Sequence, residues 1–326
     1  MHVLLTGSTG WLGRFLAPML RAGGHVVTGL DVAPGPDTDI VGSVADRALV
    51  DRLFADRGID AVIHAGALHK PDIARYPAQA FVDVNVTGTL NLLEAAIAAR
   101  ARFVFTSTTS LMISQAIRDG TGDEAAWLDE TLAPRNIYGV TKLAAEHLCR
   151  LYHQLHGLPC VVLRTARFFP EEDDTHRALS GENMKANEFL HRRLTVEDVA
   201  AAHLAALDRA PGIGFDTFIL SAPTPFARAE AAELRRDAAA VIARHFPDAP
   251  GLYAARGWSL PATIDRVYDS SHAERVLDFR CQTDFAAILQ ALREGAPLPF
   301  AHDADYVSPA IGALSRAPAK AEAQGN

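Results

Sequence analysis

Tyr138 and Lys142 are the two residues of this sequence whose types and spacing could do acid–base chemistry. They stand four residues apart in a segment of strong helix formers, so both side chains are predicted to share one helix face. A lysine ammonium close to a tyrosine hydroxyl favours the phenolate and lowers the pKa of that tyrosine. Such a tyrosine can remove the proton of a substrate alcohol near neutral pH. We therefore predict a general base at Tyr138, although the same spacing is also common on solvated helix faces.

A run of hydroxyl side chains about thirty residues earlier could hold the oxygen of the same substrate. Residues 102–105 predict a strand, and five hydroxyl residues follow it at 106–110. Such a run can also be a simple loop signal. Taken with Tyr138 and Lys142, it favours a site that handles an alcohol.

The first thirty-one residues predict the elements that would position a second reactant. An apolar strand at 2–6 leads into the glycine-rich segment 7–13, and a helical pattern follows through Leu20. A second strand at 26–30 closes with Asp31. The order strand, glycine turn, helix, strand and acid is typical of a dinucleotide-binding unit.

Each glycine of this turn has a physical role in such a unit. Gly7 allows the tight turn, Gly10 lets the backbone approach a pyrophosphate, and Gly13 lets helix and strand pack closely. A carboxylate at Asp31 can accept both hydroxyls of an adenosine ribose and would repel a 2′-phosphate, and no arginine follows at 32–36. We therefore predict NAD rather than NADP, and a positively charged nicotinamide would lower the pKa of the tyrosine further. A purely structural glycine turn and a loop-start carboxylate are the alternatives.

Composition restricts the class of protein. The 326 residues suggest about two domains, and 49% hydrophobic with 21% charged residues is typical of soluble globular proteins. Three scattered cysteines predict neither a disulfide framework nor a metal site and fit a reducing compartment. The net charge of −8 argues against nucleic-acid and anionic-membrane partners. Because residues 1–7 lack a signal-peptide pattern and no apolar run reaches about 18 residues, we expect a cytoplasmic protein.

Several further motifs occur in one register over roughly residues 1–220. In order they are Thr6–Gly13, Asp31, His64–Ala67, Asn85–Thr89, Ser107–Thr109, Tyr138-x-x-x-Lys142, Leu163-Arg164, Leu194–Val199 and Ala201–Leu204. With them the chain resembles the extended short-chain dehydrogenase/reductases, the NAD-dependent epimerase/dehydratase family that includes UDP-galactose 4-epimerase. The resemblance implies an α/β fold: a Rossmann-type doubly wound parallel sheet with a smaller C-terminal substrate-binding cap.

The resemblance also implies roles for individual residues. Tyr138 would be the acid/base, Lys142 would hold the nicotinamide ribose, and Thr108 would be the catalytic hydroxyl, with Ser107 as a neighbour that can substitute. The implied cofactor-binding residues are Gly7, Thr9, Gly10, Trp11, Leu12, Gly13, Asp31, Ala65, Gly66, Ala67, Asn85 and Lys142. The implied substrate-binding residues are His69, Thr109 and Arg167.

Two departures from the family pattern bear on the substrate. Family members that eliminate water carry an Asp-Glu pair after the catalytic threonine, whereas Thr108 is followed by Thr109-Ser110, so we reject a dehydratase. Arg167 stands where relatives that bind nucleotide sugars usually show an asparagine. It could pair with a substrate carboxylate or phosphate. The acidic run 171–174 would repel a diphosphate if it faced the pocket, and is otherwise a solvated loop.

The chain is predicted to divide into two interleaved domains and a tail. We assign 1–166 and 194–220 to the NAD-binding domain, 167–193 and 221–308 to the cap, and 309–326 to a mobile tail.

Two predicted helices, 86–99 and 138–156, have apolar faces wider than a single contact needs. By the resemblance they would pair across a homodimer as a four-helix bundle. Burial against the chain's own sheet is the alternative explanation.

The predicted function is NAD-dependent redox chemistry at a secondary alcohol of a small-molecule sugar or sugar derivative. If the ketone rotates in the site and hydride returns to its other face, the reaction is 4-epimerase-like, which the resemblance favours. A ketone that leaves gives a dehydrogenase or reductase of a non-nucleotide sugar, a sugar acid or another hydroxy or carbonyl compound, which Arg167 favours. The third alternative is a non-catalytic NAD-binding protein, against which the intact Tyr138, Lys142 and Thr108 argue.

Overall fold

A seven-stranded parallel sheet forms the centre of the protein. The computed structural model describes residues 1–129, 131–170 and 179–300. The strands are β1 His2–Thr6, β2 Val26–Asp31, β3 Ile40–Val41, β4 Ala61–His64, β5 Arg102–Thr108, β6 Ala126–Leu128, β7 Cys160–Thr165, β8 Phe215–Leu220 and β9 Arg266–Tyr268. The central order is β3-β2-β1-β4-β5-β7-β8, and β6 pairs with β9 in a separate two-stranded sheet.

Helices cover both faces of the central sheet. They are α1 Gly13–Ala22, α2 Arg47–Arg57, α3 Ala78–Phe81, α4 Gly88–Ala99, α5 Gln115–Asp119, α6 Ile137–His156, α7 Gly181–Glu188, α8 Val196–Ile213, α9 Ala231–His245, α10 Ala249–Ala255, α11 Ser271–Val276 and α12 Phe285–Glu294. Helices α1 and α8 pack on one face, and α2, α4 and α6 pack on the other. The predicted doubly wound Rossmann-type sheet is confirmed.

The hydroxyl run lies partly inside a strand rather than in a loop. Strand β5 was predicted to end at residue 105, but its ladder with β7 continues until Thr108 pairs with Thr165. Phe103 and Phe105 pack on the face that α6 covers, and Val104 packs on the opposite face. Buried residues on both faces are typical of a central parallel strand. The register therefore fixes Thr108 at the carboxyl edge of the sheet.

The cap has an apolar core of its own, built from segments far apart in the sequence. Ala125, Phe189, Phe226, Tyr253 and Phe285 are among its buried residues. This grouping adds the short segment 125–128 to the cap, because β6 pairs with β9. Tyr268, Ala273 and Leu277, which the division assigns to the cap, instead pack in the core of the central sheet. The predicted tail, 309–326, lies outside the described residues.

Helix α8 lies on the central sheet, and helix α9 lies in the cap. Helix α8 continues to Ile213, and Ala210 extends its buried face. Helix α9 begins at Ala231, after a short 3₁₀ segment at 228–230. Within the described part of the chain, no helix combines the length and apolarity needed to cross a membrane.

Candidate active site

Helix α6 presents Tyr138 and Lys142 one turn apart at the carboxyl edge of the sheet. The helix begins at Ile137 because the Asn136 side chain caps it, accepting the Gly139 N–H at 2.9 Å. Both Tyr138 and Lys142 are buried. The Tyr138 hydroxyl lies close enough to the Thr108 side chain at the end of β5 for that side chain to lower the tyrosine pKa. The structure therefore brings together the three residues predicted to form the centre of the site.

Lys142 is held by the end of β5. Its Nζ donates a hydrogen bond to the Thr106 carbonyl oxygen at 2.9 Å and lies 4.7 Å from the centre of the Phe105 ring. Burial lowers the pKa of Lys142 to about 8, although the Glu146 carboxylate opposes that shift. Lys142 is thus mostly protonated at pH 7 and loses its proton near pH 8.

The pKa of Tyr138 differs from the sequence prediction. Burial raises the pKa of Tyr138 to about 12; the nearby Thr108 side chain opposes this shift and the charge of Asp72 adds to it. The prediction that Lys142 lowers the pKa below its ordinary value is wrong for the chain by itself, because desolvation of the phenolate outweighs the other contributions. The protein's own groups therefore keep Tyr138 protonated at neutral pH.

The other hydroxyls that were predicted to act in the site have partners elsewhere. The Ser107 hydroxyl is buried and donates to the Glu146 carboxylate at 2.6 Å. The Thr109 hydroxyl is also buried and donates to the Thr165 carbonyl oxygen at 3.3 Å. Successive side chains of a strand point to opposite faces, so residues next to Thr108 are turned away from the partner that Thr108 reaches. The structure brings only Thr108 of these three into contact with Tyr138.

Asn85 connects the loop after β4 to the helix that carries Tyr138. Its side-chain oxygen accepts the Leu68 N–H at 2.8 Å, and its amide nitrogen donates to the Leu68 carbonyl oxygen at 3.0 Å. The same amide donates to the Thr141 hydroxyl at 3.1 Å. Asn85 lies in a π-helical segment, Val82–Thr87, and is buried. It therefore positions the site, which agrees with the supporting role predicted for it.

The glycine turn is packed too tightly for any other residue at two positions. Gly7 has a φ of +74°, and a Cβ atom there would lie 2.7 Å from the Gly66 backbone nitrogen. A Cβ at Gly13 would lie 2.2 Å from the Gly7 carbonyl oxygen. Trp11 and Leu12 bury their side chains in the core, so only their backbone can face a ligand.

This turn fits the NAD predicted from the sequence. Helix α1 begins directly after the turn and no side chain caps it at Leu12, so the positive end of its dipole can face a pyrophosphate. Asp31 ends β2, and its carboxylate accepts the N–H groups of Thr9 and Ala33, each at 3.1 Å. That carboxylate lies where an adenosine ribose is bound in such folds. The small residues Ala65–Ala67 follow β4 and are half-buried.

His69 lies beside Tyr138, as its predicted role in substrate binding requires. Its ring centre is 5.9 Å from that of Tyr138 and 5.8 Å from that of Phe169. Burial and the charge of Lys142 lower the pKa of His69 to about 4, so the imidazole is neutral at pH 7. Sequence analysis missed two neighbours, Phe169 and Asp72. The three-residue spacing of His69 and Asp72 was an available signal, since Asp72 accepts the His69 N–H at 2.7 Å.

Arg167, predicted to meet a substrate anion, contacts a carboxylate of the chain itself. Its Nη1 lies 3.3 Å from the buried Glu188 carboxylate, which also binds Arg192 and Arg193 at 3.1 and 2.8 Å. Sequence analysis missed these three partners. The available signal was the adjacent pair of arginines in an apolar segment.

Comparison with known proteins agrees with this geometry. The sequence profile of the NAD dependent epimerase/dehydratase family matches residues 3–215. A dTDP-glucose 4,6-dehydratase of Streptomyces niveus is 29% identical over 291 residues, which are 77% of this chain and 82% of that protein. The low-salt glycan biosynthesis protein Agl12 of Haloferax volcanii is 35% identical over 185 residues, and the match spans 52% of this chain and 57% of that relative.

A solved structure shares the fold over nearly the whole length of both chains. The UDP-N-acetylglucosamine 4-epimerase of Bacillus cereus superposes with a TM-score of 0.60 at 24% identity, covering 90% of this chain and 97% of that one. The family profile spans well over half of the chain, and its motifs occupy the site described above. The chain therefore belongs to the NAD-dependent epimerase/dehydratase family of enzymes, whose cofactor is NAD.

Proposed function

We propose that the protein oxidises a secondary alcohol of a sugar or sugar derivative, with NAD as its redox cofactor. The observation that carries this proposal is the placement of the Tyr138 hydroxyl beside the Thr108 side chain, close to the buried Lys142 at the end of β5. The trio lies at the same edge of the sheet as the glycine turn of residues 7–13. NAD, when bound there, supplies the hydride acceptor and returns the hydride in the reverse direction.

Each residue of the trio has a distinct task in this reaction. The Thr108 hydroxyl holds the substrate oxygen next to the Tyr138 hydroxyl. Tyr138 accepts the proton of the alcohol in its ionised form, which the positive charge of a bound nicotinamide would favour against the burial that keeps it protonated in the chain by itself. Lys142, one helical turn away, stabilises the phenolate by its charge. Burial of both residues excludes water from the proton transfer.

Two outcomes of this chemistry are our candidate activities. A sugar 4-epimerase keeps the ketone in the site until it is reduced on the other face. A dehydrogenase or reductase releases it, and the cluster around Arg167 favours a non-nucleotide sugar or a sugar acid as its substrate. Thr108 is followed by Thr109-Ser110 and not by carboxylates, which argues against elimination of water.

The test compares Tyr138→Phe with Tyr152→Phe, a change on the same helix. Tyr152 donates to Glu94, away from the trio, and serves as the matched control. We expect Tyr138→Phe to lower kcat by about 10² to 10⁴, because general acid–base catalysis contributes that much, while the Kd for NAD stays within about threefold. NADH absorbance, with panels of aldoses, sugar acids and UDP-sugars, gives the rate, and calorimetry gives the Kd.

Three results would separate the alternatives. Turnover by Tyr138→Phe at the wild-type rate would contradict the mechanism. A wild-type protein that binds NAD but turns over no member of the panels would support the non-catalytic alternative. Conversion of UDP-galactose to UDP-glucose without net NADH would identify an epimerase.

We also propose a homodimer formed through α4 and α6. Val140, Leu151 and Leu155 of α6 are 49%, 43% and 64% exposed, which is unusual for apolar residues on a helix of this length. The hydrogen bond between Tyr152 and Glu94 joins the two helices on that side. Sedimentation of the purified protein tests this proposal, and a monomer at micromolar concentration would contradict it.

We propose a cytoplasmic location and no nucleic-acid or membrane partner. Cys149, Cys160 and Cys281 are all free thiols, which supports a reducing compartment. The net charge of −8 disfavours polyanionic surfaces. Fractionation of the host cell tests the location, and recovery with secreted proteins would contradict it.

A further inference from the structure

Three arginines share one buried carboxylate where the end of the central sheet meets the cap. Glu188 at the end of α7 is buried, and its oxygens lie 2.8 Å from Arg193 Nη1, 3.1 Å from Arg192 Nη2 and 3.3 Å from Arg167 Nη1. The side chains of Arg193 and Arg192 are only 3% and 16% exposed. We call these four residues the arginine cluster.

The buried pair Arg192 and Arg193 carries one more positive charge than the Glu188 carboxylate offsets. Burial alone would raise the pKa of Glu188, but the charges of the three arginines outweigh it and hold that pKa below its ordinary value. The carboxylate is therefore ionised at neutral pH and offsets only one of these two guanidinium groups. Uncompensated buried charge is costly, so an anion beside this pair would stabilise the arrangement.

Two buried N–H donors of the cluster have no acceptor. The Nε atoms of Arg192 and Arg193 are inaccessible to solvent and have no hydrogen-bond partner among the described residues. An unsatisfied donor on a charged group is among the least favourable features of a protein interior. A guanidinium presents its donors as a planar fork that suits the paired oxygens of a carboxylate or phosphate.

The cluster lies next to the proposed catalytic trio. Thr165 is paired with Thr108 across the sheet, and Arg167 follows it by two residues. The Arg167 N–H donates to the Arg192 carbonyl oxygen at 3.3 Å, which places the paired arginines beside that edge.

A second series of contacts connects the arginine cluster to Tyr138 of the trio. Arg193 Nη2 donates to the Phe169 carbonyl oxygen at 2.5 Å, and the Phe169 ring contacts His69, which contacts Tyr138. One small molecule could therefore touch both the trio and the cluster.

We propose that the arginine cluster is the anion subsite of the substrate pocket, and that the substrate is a sugar acid whose carboxylate binds Arg192 and Arg193. This inference rests on the proposed redox function and names its substrate class. A phosphate offers the same anionic oxygens. The carboxylate is favoured because the two guanidinium groups are almost completely enclosed, which suits a small terminal group better than the diphosphate that bridges a sugar to a nucleoside.

The test measures binding without turnover. Full-length Tyr138→Phe protein saturated with NAD is titrated by calorimetry with D-galacturonate, its methyl ester and UDP-galactose, and then with the D-glucuronate pair. The acid and its ester differ in the charge that the cluster would bind and in one added methyl group, so variants of the cluster separate charge from size. We expect at least one of the two acids to bind about tenfold more tightly than its ester, as befits a charge-assisted hydrogen bond.

Substitutions then assign that preference to the cluster. We expect Arg192→Gln, added to Tyr138→Phe, to remove the preference for the acid, and Arg192→Lys to restore part of it. Arg102→Gln is the matched control, because Arg102 is half-buried and donates to the Leu207 carbonyl oxygen at the opposite edge of the sheet. It should leave the preference intact.

Two results would overturn the inference. Equal binding of acid and ester by the parent protein would mean that the subsite holds no substrate carboxylate, as when the chain's own acidic run 171–174 neutralises the cluster. Loss of UDP-galactose binding in Arg192→Gln with no change for the acids would assign the cluster to a diphosphate.

Failure of the redox proposal would look different. In that case the acid would still be preferred in binding, while the wild-type protein would form no NADH from either uronate. Conversely, turnover of neutral or nucleotide sugars with no preference for acids would leave the redox function intact and exclude the anion subsite.

Discussion

The two sides of the candidate site balance buried charge in opposite ways. On the sheet side, Glu146 is ion-paired with one arginine, Arg164, at 2.7 Å, and it accepts the Ser107 hydroxyl. On the cap side, Glu188 faces three arginines. Both carboxylates are buried, and the charge of Lys142 also acts on Glu146. The difference lies in the number of guanidinium groups in direct contact with each carboxylate.

This difference separates a structural ion pair from a proposed binding site. A matched pair needs nothing further and fixes the geometry of the elements that carry it, here α6 and β7. A surplus of buried cations is favourable only with an additional anion. The sheet side therefore suits chemistry common to the family, and the cap side suits selection of a particular substrate.

Removing Glu146 or Glu188 should have the largest effect on stability and should test the difference between the two sides most directly. Glu146→Gln and Glu188→Gln each leave buried arginine uncompensated, and we expect each to lower the free energy of unfolding by about 3–5 kcal/mol. Added D-galacturonate should restore part of the stability of Glu188→Gln only, because only the cap side is proposed to take an anion. Thermal unfolding at matched ionic strength measures both. Equal rescue of the two variants would abolish the distinction.

Lys142, on the sheet side, should make the stability of the protein depend on pH, and this effect should be of intermediate size. Burial lowers the pKa of Lys142 to about 8 from 10.5, so between these values the unfolded chain binds more protons than the folded one. Stability relative to a Lys142→Met variant should therefore rise with pH over that window, by up to about 3 kcal/mol. Denaturant unfolding of both proteins from pH 7.5 to 10 measures the difference. A flat difference would show that Lys142 is not desolvated.

The smallest effect should come from Asp31, which belongs to the proposed cofactor site and to neither the sheet side nor the cap side. Asp31→Ala removes the carboxylate that would repel a 2′-phosphate, so we expect the preference for NAD over NADP to fall by about tenfold. Calorimetric Kd values for the two cofactors measure the ratio, and Asp39→Ala is a control that acts on β2 through the Gly29 N–H. An unchanged ratio would remove Asp31 from the ribose.

The elements of the cofactor half could be predicted from sequence with small boundary errors. Strand β1 was predicted at its observed bounds, and Thr108, Tyr138 and Lys142 are brought together as predicted. Strand β1 and the one-turn spacing of Tyr138 and Lys142 rest on residues close in sequence, where periodicity and spacing determine local structure. The role of Thr108 beside Tyr138 was implied by the resemblance to the family. The direction of the Ser107 and Thr109 side chains was not predicted, because β5 continues into the hydroxyl run only through its pairing with β7.

The cap could not be predicted in the same way. Its core joins Ala125, Phe189, Phe226 and Phe285, which are separated by tens of residues and follow no motif. The pairing of β6 with β9 joins residues about 140 positions apart. Such contacts depend on how segments pack after the sheet has formed, and no local pattern encodes them.

The sequence by itself determined the order of strands and helices, the glycine turn with its positive φ at Gly7 and its close contact at Gly13, and the spacing of Tyr138 and Lys142. These features follow from backbone conformation and helical periodicity, which act over a few residues. Only the tertiary structure decided the protonation of Tyr138 and the gathering of three arginines around Glu188. Both depend on desolvation and on charges from distant segments, and these arise only when the chain is folded.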